Sequence, residues 1–113
     1  MKNSIGRLVF VALLLSAVGC KGGVTSIKTL LDDPGRFDKQ TVRIAGTVGS
    51  SIGVMGYGAY QVNDGTGTLT VVSQQGGAPR EGAEVGVEGE FRSAFTLGDR
   101  TAAVLMESKR FTP

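Results

Sequence analysis

The side chains able to do chemistry in this sequence are few, and the missing ones constrain function most. There is no His and no Trp, and Cys20 is the single cysteine. Without imidazole the chain has no ordinary general base near neutral pH and no usual zinc cluster, and one thiol cannot close an internal disulfide. Ser50 and Ser51 have no His to activate them. Carboxylates can do acid–base work. Here, though, Glu84, Glu88 and Glu90 alternate along one run and Asp64 sits in a turn, so no paired environment separates their roles. No catalytic residue, cofactor or metal is expected. What remains is recognition chemistry. Tyr57, in Gly56-Tyr57-Gly58, and Phe95, in the stretch 93–100, are the two rings placed for contact. Gln61, Asn63, Thr68 and Thr70 supply amides and hydroxyls, and Arg92 and Arg100 flank Phe95 where they could meet an anionic ligand. The two rings have a second reading, as plugs folded over the ends of the fold, which is also what Ile52 and Met55 are expected to be.

These residues need a scaffold, and the pattern around them is that of a small β protein. The 113 residues allow one domain at most, and 41% apolar with 19% charged residues is an ordinary globular balance. Thr25 or Ser26 can cap a short helix in which Ile27, Leu30 and Leu31 share a face, with Pro34-Gly35 as its stop. The period then changes to two. Val42, Ile44 and Val48 alternate with polar residues, as do Tyr60 and Val62, Leu69 and Val71, and Val85, Val87 and Phe91. Ala102–Met106 is continuously apolar and reads as a more buried strand. Five strands with one apolar face each must close or be covered. Asp64-Gly65-Thr66-Gly67 is a hairpin turn, while 50–58, 74–82 and 93–100 read as loops. Gly46, Gly86 and Gly89 fall inside strands, where they mark sharp bends or close backbone approach.

Ahead of the fold stands a leader. Lys2 and Arg7 precede an apolar run, Leu8–Leu15, too short to span a bilayer, and small residues follow. The segment Ala17-Val18-Gly19-Cys20 resembles the lipobox of bacterial lipoproteins, with Ala17 in place of the usual Leu. That resemblance implies cleavage before Cys20, a diacylglyceryl thioether on its sulfur and acylation of the new amine. Two or three acyl chains hold a protein firmly where one holds it marginally. It divides the chain into a signal peptide (1–19), a lipidated tether (20–25) and a folded domain (26–113). Lys21 after the modified Cys implies the outer membrane, facing the periplasm, in a two-membrane envelope. Loss of residues 1–19 leaves 94 residues with ten basic and ten acidic groups, a formal net charge of zero.

Across residues 26–108 the chain resembles the OB-fold domains of the tRNA-anticodon type, and the small bacterial lipoproteins that carry one. The residues that carry this are Val42-Arg43-Ile44-Ala45-Gly46-Thr47-Val48, Tyr60-Gln61-Val62-Asn63-Asp64-Gly65-Thr66-Gly67 and Val85-Gly86-Val87-Glu88-Gly89-Glu90-Phe91. The resemblance implies an all-β, five-stranded Greek-key barrel preceded by one short helix. Its ligand face would be the outer surface of strands two and three, flanked by the loops joining strands one to two and four to five. With Tyr60, Val62, Leu69 and Val71 inward, that face presents Gln61, Asn63, Thr68 and Thr70, and strand one adds Arg43 and Thr47. It lacks the aromatic platforms and basic groove of single-strand binders, and Glu84, Glu88 and Glu90 form an acidic stripe that reads as a solvated face. The expectation is a noncatalytic, lipid-anchored envelope module. It would bind a protein segment, a saccharide or another small polar molecule. A single-strand nucleic-acid binder is the alternative.

Overall fold

The structure is a computed structural model that describes residues 23–54, 57–74, 76–97 and 99–113. The leader, Cys20 and Met55 lie outside the described residues. Ser26 opens the first helix, α1 (Ile27–Asp32), and its hydroxyl accepts from the Thr29 amide, so the cap is Ser26 and not Thr25. Ile27 and Leu30 are fully buried, whereas Leu31 is 40% exposed. In a helix of six residues only one narrow stripe reaches the core, and the third apolar position turns to solvent. The single expected helix is in fact two. Pro34 does not stop the chain's helical path but opens α2 (Pro34–Phe37) at its first turn, where its missing N–H has no bond to lose. Phe37 packs against the core from this second helix.

Five strands follow: β1 (Thr41–Val54), β2 (Tyr57–Asn63), β3 (Thr68–Ser73), β4 (Glu84–Leu97) and β5 (Arg100–Phe111). They close into a barrel in the order β1-β2-β3-β5-β4, with β3 and β5 parallel and every other pair antiparallel. One inward row runs around it through paired residues, Tyr60–Val71–Leu105–Phe91, each at most 1% exposed. Ile44, Val62 and Val87 fill the rest of the interior, and α1 lays Ile27 and Leu30 onto it. Backbone approach is closest at the strand glycines. A Cβ on Gly46 would overlap the Asn63 carbonyl, and one on Gly89 would overlap the carbonyl of Met106, beside the β4–β5 irregularity between Glu88 and Gly89.

Two stretches expected as loops are strand instead. Ser51–Val54 pairs with Tyr57–Tyr60, and Phe95–Leu97 pairs with Arg100–Ala102, so β1–β2 and β4–β5 each run on as arms, in the first of which Ser51–Val54 is paired with β2 alone while Gly58–Tyr60 also pairs with β3. Their glycine and polar content misled the pattern reading, because an arm paired on one side needs no buried face. For the same reason β5 is not buried throughout. Val104 and Leu105 are buried, but Ala102, out on the arm, is exposed.

Candidate functional site

The two arms and the strands between them build an apolar groove on the outside of the barrel. It holds about 390 Å³ and is lined by Ile52, Tyr57, Gly58, Ala59, Val72, Gln74, Phe95 and Met106. The register explains why these residues meet. Ile52 pairs with Ala59, Ala59 with Val72, and Val72 with Met106, so one cross-strand row of outward side chains crosses β1, β2, β3 and β5. Tyr57 comes from the first arm and Phe95 from the second. Ile52 and Tyr57 are 63% and 58% exposed, which rules out Ile52 as a plug and makes Tyr57 a surface ring. Phe95 is half-buried. Both rings stand on strands, not in loops. The volume lies within the range of small-ligand and side-chain pockets, roughly 300–1,000 Å³.

The other candidates are divided between neighbouring places. Gln61 and Thr70 pair across β2 and β3 and line a smaller depression of about 170 Å³ with Ser50, Ile52, Ala59 and Tyr60. Asn63 Nδ2 donates to Thr68 Oγ1 at 3.1 Å, and Asn63 lines a separate open groove with Thr47, Asp64 and Glu84. Arg92 does not stand free beside Phe95, because it pairs with Glu90 at 2.8 Å. Arg100 begins β5 opposite Leu97. The acidic stripe is offset in place. Thr47 donates to Glu84 at 2.8 Å, Arg43 stands 3.6 Å from Glu88, and Arg92 holds Glu90. Arg43 also stacks over the Phe111 ring, 4.0 Å from its centroid.

Beneath the row lies a polar lock. The Tyr60 hydroxyl donates to Glu107, and Arg110 Nε donates to the same carboxylate at 3.0 Å while its guanidinium stands over the Tyr60 ring. Burial raises the Tyr60 pKa, and the Glu107 carboxylate raises it further, so the phenol stays a neutral donor. Arg110 also donates to the Gly77 carbonyl, tying the 76–83 connection to β5. At the opposite end Asp64 does more than make a turn. Its Oδ1 accepts from Thr66 N, Thr66 Oγ1 and Gly67 N, and its Oδ2 accepts from Ile27 N at 2.9 Å. The β2–β3 turn thereby also receives the first amide of α1. Among the described residues no three His, Cys, Asp or Glu side chains gather where a metal ion could be held.

Sequence reasoning missed Ala59, Val72 and Met106. Their signal was present as apolar doublets, Ala59-Tyr60, Val71-Val72 and Leu105-Met106, because adjacent apolar residues in a strand face opposite sides.

No protein-family model matches the chain, and no curated protein matches it in sequence. Among solved structures it is similar to an asparaginyl-tRNA synthetase from Pyrococcus horikoshii complexed with asparaginyl-adenylate. The two share 21% identity at a TM-score of 0.54 over 68% of this chain and 20% of the synthetase. It is also similar to OBody AM1L10 bound to hen egg-white lysozyme, at 16% identity and a TM-score of 0.58 over 80% of this chain and 94% of the other. The fold is an OB fold. At these identities the likeness concerns the fold, and the chain corresponds to about a fifth of the synthetase. A synthetase among the neighbours agrees with the resemblance read from the strand motifs. The OB barrel accounts for the placement of the groove, on the outer face of β2 and β3 between the two arms.

Proposed function

We propose that this chain is a noncatalytic, lipid-anchored binding module of the cell envelope whose outer groove takes an apolar segment of another protein. The observation that carries the reading is the outward row Ile52–Ala59–Val72–Met106, walled by Tyr57 and Phe95. Apolar side chains gathered on an outer face, away from the core, mark a binding surface more often than chance exposure. The sequence reading left a protein segment, a saccharide and a small polar molecule open, and the apolar lining favours a protein segment over a saccharide. An OB-fold neighbour bound to lysozyme gives an example of such a barrel holding a protein. The anchor rests on the lipobox-like Ala17–Cys20 segment.

Single-strand nucleic-acid binding is the second reading, favoured by the synthetase neighbour and by two rings that could stack on bases. Among the described residues the groove lining holds no cation, and the net charge after leader removal is zero, so little of the phosphate-driven affinity is on offer. The experiment compares wild type with Tyr57→Ala and Phe95→Ala. Photo-crosslinking in intact envelopes is run beside an oligonucleotide titration at low ionic strength. Protein adducts at the groove that both substitutions remove, with a flat titration, support the reading. Oligonucleotide binding that falls steeply with salt, and is lost with the same substitutions, overturns it in favour of the second.

A further inference from the structure

The barrel closes through its weakest ladder. β3 and β5 share three residue pairs, Thr70–Val104, Val71–Leu105 and Val72–Met106, although β5 begins at Arg100. The same parallel offset would set Thr68 beside Ala102, and that pair does not form. Among the described residues, the main chain of 100–102 is paired with β4 alone, and no backbone bond from elsewhere reaches it. Alternate N–H and C=O groups of this stretch therefore face outward with no main-chain partner among the described residues, as on any sheet edge. The chain covers comparable edges. Thr25 N donates to the Arg43 carbonyl on β1, the Val48 main chain bonds Gly82 and Ala83, and the Phe91 main chain bonds Lys39 and Gln40.

We propose that the partner segment docks by strand addition on this edge, in extended form, with alternate side chains directed into the groove. The inference rests on the binding reading above and names its mode. Ala102 is exposed and stands directly opposite Phe95, which lines the groove, so the next strand outward continues the row that Phe95 and Ala102 begin. Charge selects one end of the segment. Arg43, Arg92 and Arg110 hold Glu88, Glu90 and Glu107, whereas Arg100, at the start of the open edge, has no ionic partner among the described residues. Asp99 precedes it in the chain. An acidic residue on the segment fits opposite Arg100. A polypeptide can match the spacing of the free donors and acceptors through its own main chain, whereas a saccharide or a nucleic acid has no such repeat.

The test selects random linear dodecapeptides on the full-length protein in nanodiscs and follows the selected peptides by amide hydrogen exchange and fluorescence anisotropy. Strand addition requires three results. Binding is lost in Phe95→Ala. Slowed exchange appears at alternate residues of 100–102. N-methylation of alternate peptide amides weakens binding by about tenfold, the worth of one or two main-chain hydrogen bonds. Arg100→Glu should weaken acid-bearing peptides about three- to fivefold, as an exposed ion pair allows. A peptide that needs Phe95 but leaves exchange at 100–102 unchanged, and tolerates N-methylation, overturns strand addition while leaving the groove reading standing. Failure to select any Phe95-dependent peptide overturns both. Protection at 100–102 without peptide, rising with protein concentration alongside a dimer in sedimentation, assigns the edge to a second copy and also overturns the proposal.

Discussion

Single side chains in this molecule divide into those that hold the barrel and those that stand in solvent at the groove, and Asp64 and Tyr57 are the clearest of each. Partial burial would raise the Asp64 pKa, but hydrogen bonds from Thr66, Ile27 N and Gly67 N outweigh it and hold the carboxyl below its ordinary value. A depressed folded-state pKa means that Asp64 stabilises the fold above the usual carboxylate range and loses that effect as pH falls through its folded value. Asp38 acts in the same direction, its carboxylate accepting from Ser93 N and Ser93 Oγ. We expect Asp64→Ala to cost about 1–2 kcal/mol, comparable to loss of a helix cap. Asp64→Asn, which keeps one acceptor oxygen, should cost less and flatten the acid limb of stability against pH in urea denaturation. An unchanged acid limb would show that the carboxylate is not ionised in these contacts. Tyr57 is the contrary case. With most of its ring in solvent, Tyr57→Ala should move stability by no more than about 0.5 kcal/mol. Phe95→Ala should cost more, yet less than the roughly 3–5 kcal/mol of a fully buried aromatic. A loss of that full size at Tyr57, read by thermal melting, would return the ring to the core.

Between residue and fold, the strands show what pattern can and cannot reveal. The inward set Tyr60, Val62, Leu69, Val71, Val85, Val87 and Phe91 was legible, because a buried face imposes period two on the sequence. The Asp64–Gly67 hairpin was legible for its turn chemistry. The arms were not, since Ser50–Gly58 and Ser93–Arg100 bury little and so carry no alternation. The outward apolar row escaped because its members lie on four different strands and meet only through register. The strand glycines give this level its prediction. At Gly89 a methyl would meet the Met106 main chain, which cannot move without breaking the β4–β5 ladder. At Gly86 it would meet the Phe111 ring, which can swing aside at the end of β5 and forfeit its stacking with Arg43. Gly89→Ala should therefore cost about 2–3 kcal/mol, toward the upper end of overpacking penalties, and Gly86→Ala distinctly less. Equal losses in chemical denaturation would mean that the Phe111 ring is as immovable as backbone.

For the molecule as a whole, the proposed attachment and the proposed recognition fall at different places on the barrel. The first described contacts of the chain are Thr25 N on the Arg43 carbonyl and Ile27 N on Asp64, near the start of β1. The groove lies at the far end of that strand, at Ile52. Nine residues of strand, at about 3.3 Å each, separate Arg43 from Ile52 by up to roughly 30 Å along the chain path. In the proposed anchoring, the tether therefore meets the barrel near the start of β1, while the groove lies near the end of that strand. Before Ser26, Thr25 is the one described residue that bonds to the barrel. Removing the acyl chains should thus change location without changing the fold. Cys20→Ser should shift the protein from the membrane fraction to the soluble one, with the leader's cleavage altered. The barrel's melting temperature should stay within about a degree, as expected when no stabilising contact is lost, and its affinity for any groove partner in solution should be unchanged. Retention of the Cys20→Ser variant in membranes after a high-salt wash would show that something other than acyl chains holds it there. A lowered melting temperature would place the N-terminal segment in the fold, and the separation of the two ends would no longer stand.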